Sequence, residues 1–465
     1  MDIDTPHAKD LTTGNLRKQI WSLSWPMMLS IFFYTLYNLV DTYWVSKLSP
    51  ESIAAVSISQ ISLFLMISIG FGITAGSGVV MSMDIGAKNK AEAERVLGQS
   101  FVLTGTAGVI FSILALLFRH QLLTFSGASG AIYEPALAYF NITAAGAILF
   151  FIMISIMFAF NAQGDTFTLT KLFAFSTLIN LVLDPIMIFG WYGMPAFGIG
   201  GAAYATLISQ AAFIIAAMRS LMHPKRSIRF HFYNLNARWD SVKRVLKIGI
   251  PAAMTQLLNP VGTALLTSIA GIAFLEPGAI AFSLGFRIEF FAYLPAIGFG
   301  FGAMAIIGQS MGAKKIERAK EALKTALIMG CSIALVLGLI AAMFPHAIIG
   351  VFTEDPQVTG YALLYYRTVT FSYVFLAMLM ICSSTFQAIG RSWPGFWISF
   401  LRLFAISLPL AYVLNIVMGY PIVYFWMSIV IGNVIAAIVS FVWLRKLMNT
   451  FDFTEVEKTV HPAAT

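Results

Sequence analysis

The stretch Ile85-Gly-Ala-Lys-Asn-Lys-Ala-Glu-Ala-Glu-Arg95 returns as Met311-Gly-Ala-Lys-Lys-Ile-Glu-Arg-Ala-Lys-Glu321, with Gly86 and Gly312 at an offset of 226 (312 − 86). Phe160-Asn-Ala-Gln-Gly164 returns as Phe386-Gln-Ala-Ile-Gly390 at the same offset (386 − 160 = 226), and Pro26 has a counterpart at Pro251. Three echoes at nearly one spacing imply a duplicated chain. Each copy contains about six long apolar runs. An even number inserts both copies in the same orientation, related by an axis along the membrane normal.

Those runs recur from Ile20 to Leu444 in a chain of 465 residues that is 58% hydrophobic and 11% charged, with mean hydropathy +0.82. Spans of the length that crosses a bilayer are expected near 20–46, 53–83, 96–118, 134–162, 168–190, 198–219, 245–272, 279–310, 322–344, 358–388, 394–416 and 421–444. The fold class is thus an all-α polytopic membrane protein of about twelve helices in two pseudo-symmetric six-helix lobes. The N-lobe is expected over 1–221, a polar linker over 222–242, and the C-lobe over 243–465. A transmembrane β-barrel would alternate in short segments, and continuous runs such as Ile110 to Phe118 exclude it.

Basic residues crowd alternate loops: Lys88, Lys90 and Arg95, then Lys225 to Arg244, then Lys314, Lys315, Arg318 and Lys320, then Arg391, Arg445 and Lys446. The intervening loops carry Glu276, Glu354 and Asp355. By the positive-inside rule both termini are expected in the cytoplasm and the protein in the cell (inner) membrane. The first run is too long for a signal-peptide core and should persist as a helix. The net charge of +8 then reflects loops facing anionic headgroups, with membrane lipid as partner and no nucleic acid. Cys331 and Cys382 fall within apolar spans, without metal-ligand spacing, and are read as packing residues.

Asp41 and Asp184 lie inside long apolar runs. A carboxylate at mid-helix costs roughly 2.5–3.5 kcal/mol to insert, so it faces a bundle interior or watery cavity and serves an ion, a proton or a substrate. Asn180 and Asp184 are four residues apart and share a helix face. Pro185 lacks an N–H, which frees the Leu181 carbonyl for a cation or water. On the first helix Met27, Ser30, Tyr34, Tyr37, Asn38 and Asp41 follow helical spacing. That stripe is either packing or a substrate face, where Met27, Tyr34, Tyr37, Asn38 and Asp41 would offer an apolar cation aromatic rings and adaptable thioether contact. Pro26 should kink or hinge the helix.

In the second half Arg287, Glu289 and Arg402 sit near mid-membrane, where a Glu289–Arg402 pair across helices is expected and a substrate-facing role is the alternative. Catalysis is not implied: no HExxH, no GxSxG and no histidine cluster occurs. Asp165, after Gly164, is read as a helix cap.

Trp25-Pro-Met, Leu36-Tyr-Asn-Leu-Val-Asp-Thr, Gly86-Ala-Lys, Ala162-Gln-Gly-Asp and Asn180-Leu-Val-Leu-Asp-Pro together resemble the multidrug and toxic compound extrusion (MATE) transporters, over essentially all twelve spans. The chain looks most like the prokaryotic, DinF-like branch, whose ionisable residues lie in the N-terminal half. The resemblance implies export of amphipathic, often cationic compounds by alternating access against influx of H⁺ or Na⁺; no other cofactor is expected, and a monomer is expected though the sequence leaves the oligomeric state open. It places an ion site on Asp41, Asn180, Asp184 and the Thr206 of Gly201-Ala-Ala-Tyr-Ala-Thr, with Tyr139 beside it. The first four would also be the ligands of Na⁺ in a sodium-coupled protein. At 1.5 Å per residue Asp41, Asp184, Thr206 and Tyr139 fall about 8 to 12 Å below one membrane face, a depth that permits one cluster. That oxygen-rich set suits a hard cation, or can hold a proton, because neighbouring carboxylates in a low dielectric do not both ionise. Acidic residues of other branches are missing from the second half: Thr267 and Leu410 stand at the repeat positions of Asp41 and Asp184. The alternative is a lipid-linked oligosaccharide or other lipid flippase of the same superfamily, which would use Arg287, Arg367 or Arg402.

Overall fold

Both copies of the Gly-Ala-Lys element end a helix with the same turn. Lys88 and Lys314 take left-handed φ values of 60° and 58°. The next amides donate to carbonyls five residues back, Asn89 to Asp84 at 2.9 Å and Lys315 to Ser310 at 2.8 Å, which closes carbonyls that a helix end leaves open. Gly164 and Gly390 repeat the device with φ values of 73° and 79°. The duplication is therefore present in the backbone as well as in the sequence.

The structure, a computed structural model, describes residues 10–236, 238–353 and 355–451. Among them no strand occurs. The helices are α1 (Leu16–Ser46), α2 (Pro50–Gly86), α3 (Lys90–Leu117), a bent α4 (Gly130–Ala145 and Ala147–Ala162), α5 (Thr166–Phe189) and α6 (Ile199–Leu221). Trp239–Gly312 is helical except at Leu275 (φ 59°, ψ −162°), which divides it into α7 (239–274) and α8 (276–312). Then follow α9 (Ile316–Met343), α10 (Pro356–Ala388), α11 (Trp393–Val417) and α12 (Ile422–Asn449). Eleven described helices are long and apolar enough to cross a membrane, twelve when the bent pair counts as one span. The expected multi-pass helical architecture is the observed one. Glu354 and the tail beyond residue 451, both used in the sequence reading, lie outside the described residues.

Two compact units result. Unit 1 holds Leu29–Ala253, and unit 2 holds Leu11–Met28 with the described residues from Met254 onward. Each unit boundary falls a few residues after a helix proline, Pro26 in α1 and Pro251 in α7. Glycines explain why the first turns of α1 and α7 pack where they do. In unit 1 a Cβ on Gly72 would lie 2.1 Å from the Ala253 backbone and one on Gly76 2.5 Å from the Val245 carbonyl. In unit 2 the repeat positions Gly298 and Gly302 would meet Met28 Cγ at 2.3 Å and Ser24 Oγ at 2.5 Å. Both sets have small-xxx-small spacing, which lets helix backbones approach closely in lipid.

The starts of α7 and α1 are also clamped. In unit 1, buried Arg244 donates to Asp84 Oδ1 at 2.7 Å and to Glu92 Oε1 at 3.3 Å, and Ser241 donates to Glu92 at 2.9 Å. Gln99 Nε2 donates to the Asn234 and Asn236 carbonyls at 2.8 and 2.7 Å. In unit 2 Arg318 donates to the carbonyls of Leu11, Thr13 and Gly14 at 2.9, 2.7 and 3.1 Å. Part of the basic stretch from Lys225 to Arg244 is therefore neutralised internally rather than left for headgroups: Arg226 pairs with Asp165, and Arg244 with Asp84. Asp165 also caps α5 through the Thr168 amide at 3.2 Å, as expected.

Candidate ion and substrate site in unit 1

Three helices fix the two carboxylates. Ser30 and Thr170 hydroxyls bond at 2.9 Å, and Thr177 donates to the Phe33 carbonyl at 3.2 Å, which ties α5 to α1. Ser176 donates to the Ser209 carbonyl at 2.9 Å, which ties α5 to α6. Within this bundle Asp41 is 2% exposed and Asp184 wholly buried. The two lie within electrostatic reach of each other, and the Tyr139 side chain faces Asp41.

A cavity of about 150 Å³ opens beside them, lined by Tyr34, Tyr37, Asn38, Asp41, Tyr139 and Thr206 among others. Six of the residues singled out in the sequence are thus brought to one wall. Asn180 and Asp184 lie next to that wall rather than on it, joined by an Asn180 Nδ2 to Asp184 Oδ1 bond of 2.9 Å. Met27 is not at the cavity. It is fully buried and belongs to unit 2, and fourteen residues of helix place it about 21 Å from Asp41 along the axis. Asn38 donates its amide to its own helix, at Tyr34 O, 2.8 Å. Tyr34 and Tyr37 stack with centroids 6.3 Å apart and planes 14° apart.

The cavity has further residues that spacing did not single out: Gln60, Gln210, Thr143 and the rings of Phe150 and Phe151. Gly146 lines it too, at the 50° bend of α4. A Cβ there would meet Leu207 Cδ2 at 2.2 Å, so the glycine lets the Leu207 side chain of α6 pack directly on the bend. Irregular backbone inside a span is tolerated where it lines a cavity. The signal in the sequence was the small-residue run Ala144-Ala-Gly-Ala147.

Chemically, the cluster is rich in acceptors and short of donors. Asp41 Oδ1, Asp184 Oδ2, Asn180 Oδ1 and Gln210 Oε1 are buried with no hydrogen-bond partner among the described residues. Buried oxygens are nearly always satisfied. Four that are not make a place for a proton or a hard cation. Among the described residues no group of three or more His, Cys, Asp or Glu side chains could hold a metal, so a cation here would rest on two carboxylates and neutral oxygens. The expected Glu289–Arg402 pair in the other unit does not form. Glu289 accepts from the Tyr365 hydroxyl at 2.5 Å, whereas Arg402 donates to Asn259 and Asn433 at 2.7 and 3.2 Å.

Comparison with known proteins agrees with this architecture. The chain is 25% identical over 400 residues to a probable multidrug resistance protein NorM of Thermotoga maritima, covering 86% of each chain. It is 27% identical over 405 residues to an FAD transporter of Shewanella oneidensis, covering 86% of this chain and 88% of that one. A solved MOP superfamily transporter from Pyrococcus furiosus superposes with TM-score 0.89 at 28% identity, covering 96% of this chain and 98% of the other. The MatE family model matches twice, at residues 26–186 and 251–413, once in each copy of the duplication. A duplicated twelve-helix membrane protein matched by that model over most of both halves belongs to the MatE family of multidrug efflux transporters.

Proposed function

We propose that the chain is a secondary active antiporter that exports amphipathic, often cationic compounds in exchange for H⁺ or Na⁺, with Asp41 and Asp184 as the charge that ion and substrate share. The observation that carries this reading is the pair of buried carboxylates with unpartnered oxygens beside an aromatic-lined cavity. An ionised pair attracts a cation, and the Tyr34 and Tyr37 faces add cation–π contact. A proton or Na⁺ arriving from outside, supported by Asn180, Thr206 and Tyr139, cancels that attraction. Ion uptake therefore expels substrate, because each state binds one ligand better than the other. Pro26, three residues from the unit boundary in α1, is suited to be the hinge.

In this reading the protein works as a monomer in the cell membrane, with its basic loops and both termini in the cytoplasm. Proton influx down about 100 mV and one pH unit supplies about 3.7 kcal/mol, enough for roughly a 500-fold gradient of a neutral substrate. The flippase alternative is not favoured, since the family match and the names of most of the relatives lie with multidrug export, the FAD transporter being an exception. The test is efflux of a fluorescent cation from proteoliposomes under H⁺ and Na⁺ gradients imposed separately. Export driven by one of them supports the reading, and efflux indifferent to both contradicts it.

A further inference from the structure

Unit 2 contains a polar cavity of its own, of about 50 Å³, lined by Gln256, Asn259, Tyr293, Ser399 and Arg402 among others. Arg402 is the tenth residue of the 25-residue α11, at mid-span. It lies in a π-helical stretch, Leu401–Ser407, just before Pro409. Proline cannot donate to the preceding turn and crowds it, and wider π turns inside α-helices occur often at functional sites. The guanidinium uses two of its N–H groups on Asn259 Oδ1 and Asn433 Oδ1, both neutral amides. Glu289 is the nearby acid, close enough to interact electrostatically. Its carboxylate is engaged by the Tyr365 hydroxyl at 2.5 Å, and no ion pair with Arg402 forms within 4.0 Å.

The fold does not require a charge at this position. The corresponding residue of unit 1 (402 − 226 = 176) is Ser176, a small hydroxyl that donates to the Ser209 carbonyl. A guanidinium is always charged, and a charge at that depth is costly unless it serves a ligand or a partner. We propose that this cavity binds the oxyanion head, a carboxylate or phosphate, of an amphipathic molecule. Arg402 supplies the charged fork, which suits a planar or tetrahedral oxyanion. Asn259, Gln256 and Ser399 supply neutral polar groups around it. The volume takes an acid group in place of one or two waters and excludes a drug-sized body, so the apolar remainder of the ligand lies outside it. This assignment does not rest on cation export through unit 1.

The experiment uses the full protein in phosphatidylcholine nanodiscs, titrated with the fluorescent carboxylate dansyl-undecanoate. Saturable binding is expected, weakened at least about tenfold by Arg402→Gln, while the matching alcohol, dansyl-undecanol, binds less tightly and is indifferent to that change. Asn259→Asp should have the same effect, because it places a carboxylate at the 2.7 Å contact and neutralises the guanidinium in place. Both variants should bind an ethidium-like cation as the parent does, which shows that they are folded and separates this site from the one in unit 1. Displacement of the probe by phosphatidylglycerol identifies a lipid headgroup as the source of the oxyanion, and displacement by inorganic phosphate a soluble one. Equal carboxylate affinity in the parent and Asn259→Asp, or displacement by neither competitor, overturns the proposal.

Discussion

Asn180 donates through Nδ2 to Oδ1 of Asp184 at 2.9 Å, one helical turn away, and leaves Oδ2 of that carboxylate and Oδ1 of Asp41 without partners among the described residues. The bond orients one acid of the pair while both acids keep an oxygen for an ion. Asp41→Asn and Asp184→Asn keep shape and remove charge. Each is expected to abolish gradient-driven efflux in proteoliposomes while leaving the thermal midpoint in detergent nearly unchanged. Thr267→Ala, at the repeat position of Asp41, removes only a hydroxyl bonded to its own helix at Thr263 and should transport normally. Asn180→Ala lies between: it takes one unpartnered amide oxygen away from the set, and in a sodium-coupled protein it should raise the half-saturating Na⁺ concentration about ten- to hundredfold. Parental efflux in both Asp→Asn variants contradicts this assignment.

The Arg244 clamp predicts an asymmetric double-variant cycle. Arg244→Leu leaves the buried Asp84 carboxyl without its partner, a loss of about 3–5 kcal/mol, and should lower the unfolding temperature sharply. Adding Asp84→Asn replaces the stranded carboxyl with a neutral amide and should recover part of the loss. Additive losses in the pair, measured by thermal unfolding in detergent, would show that the two residues do not act on one another.

Gly76 and Gly302 predict steric intolerance in equivalent places of the two units. Gly76→Leu and Gly302→Leu force side-chain atoms into the facing helix, where the Val245 carbonyl and Ser24 Oγ already lie 2.5 Å from an ideal Cβ. Each should cost about 1–3 kcal/mol or more. Gly105→Leu in α3 is the control, because nothing lies within 4 Å of a Cβ there. Folded yields measured by size-exclusion chromatography should fall for the first two and hold for the third.

Orientation is tested by labelling. In a cysteine-free background, Lys225→Cys on the exposed linker should react with an impermeant maleimide only after the cytoplasmic face is opened. Reaction in intact cells would invert the proposed topology.

The helix count and the duplication were legible because they depend on quantities a linear sequence carries, run length and offset, whereas the grouping of Asp41, Tyr139 and Thr206 came from the family resemblance, which depth at 1.5 Å per residue only permitted. What was not legible depends on rotation about helix axes and on which helices become neighbours. Met27 shares the stripe of Asp41, yet it lies across the boundary at Leu29, where α1 passes from one unit to the other. Gln60 and Gln210 enter the cavity from α2 and α6, and nothing in their local pattern distinguishes them from glutamines that face a neighbouring helix. Arg402 and Glu289 match in depth and sign, but Tyr365 and two asparagines take their hydrogen bonds instead. The bend at Gly146 was signalled only by the small residues Ala144 to Ala147, which sit inside an apolar stretch long enough to read as one straight span.

Competition between proton and cation for the same carboxylates is the centre of the proposed coupling, and equilibrium binding measures it without any gradient. Purified protein titrated with an ethidium-like cation should bind more weakly as pH falls from about 8 to about 5, as protons take the carboxylates. Asp41→Asn should bind weakly throughout and flatten that dependence. Cation binding that is independent of pH in the parent and unchanged in Asp41→Asn would contradict the account.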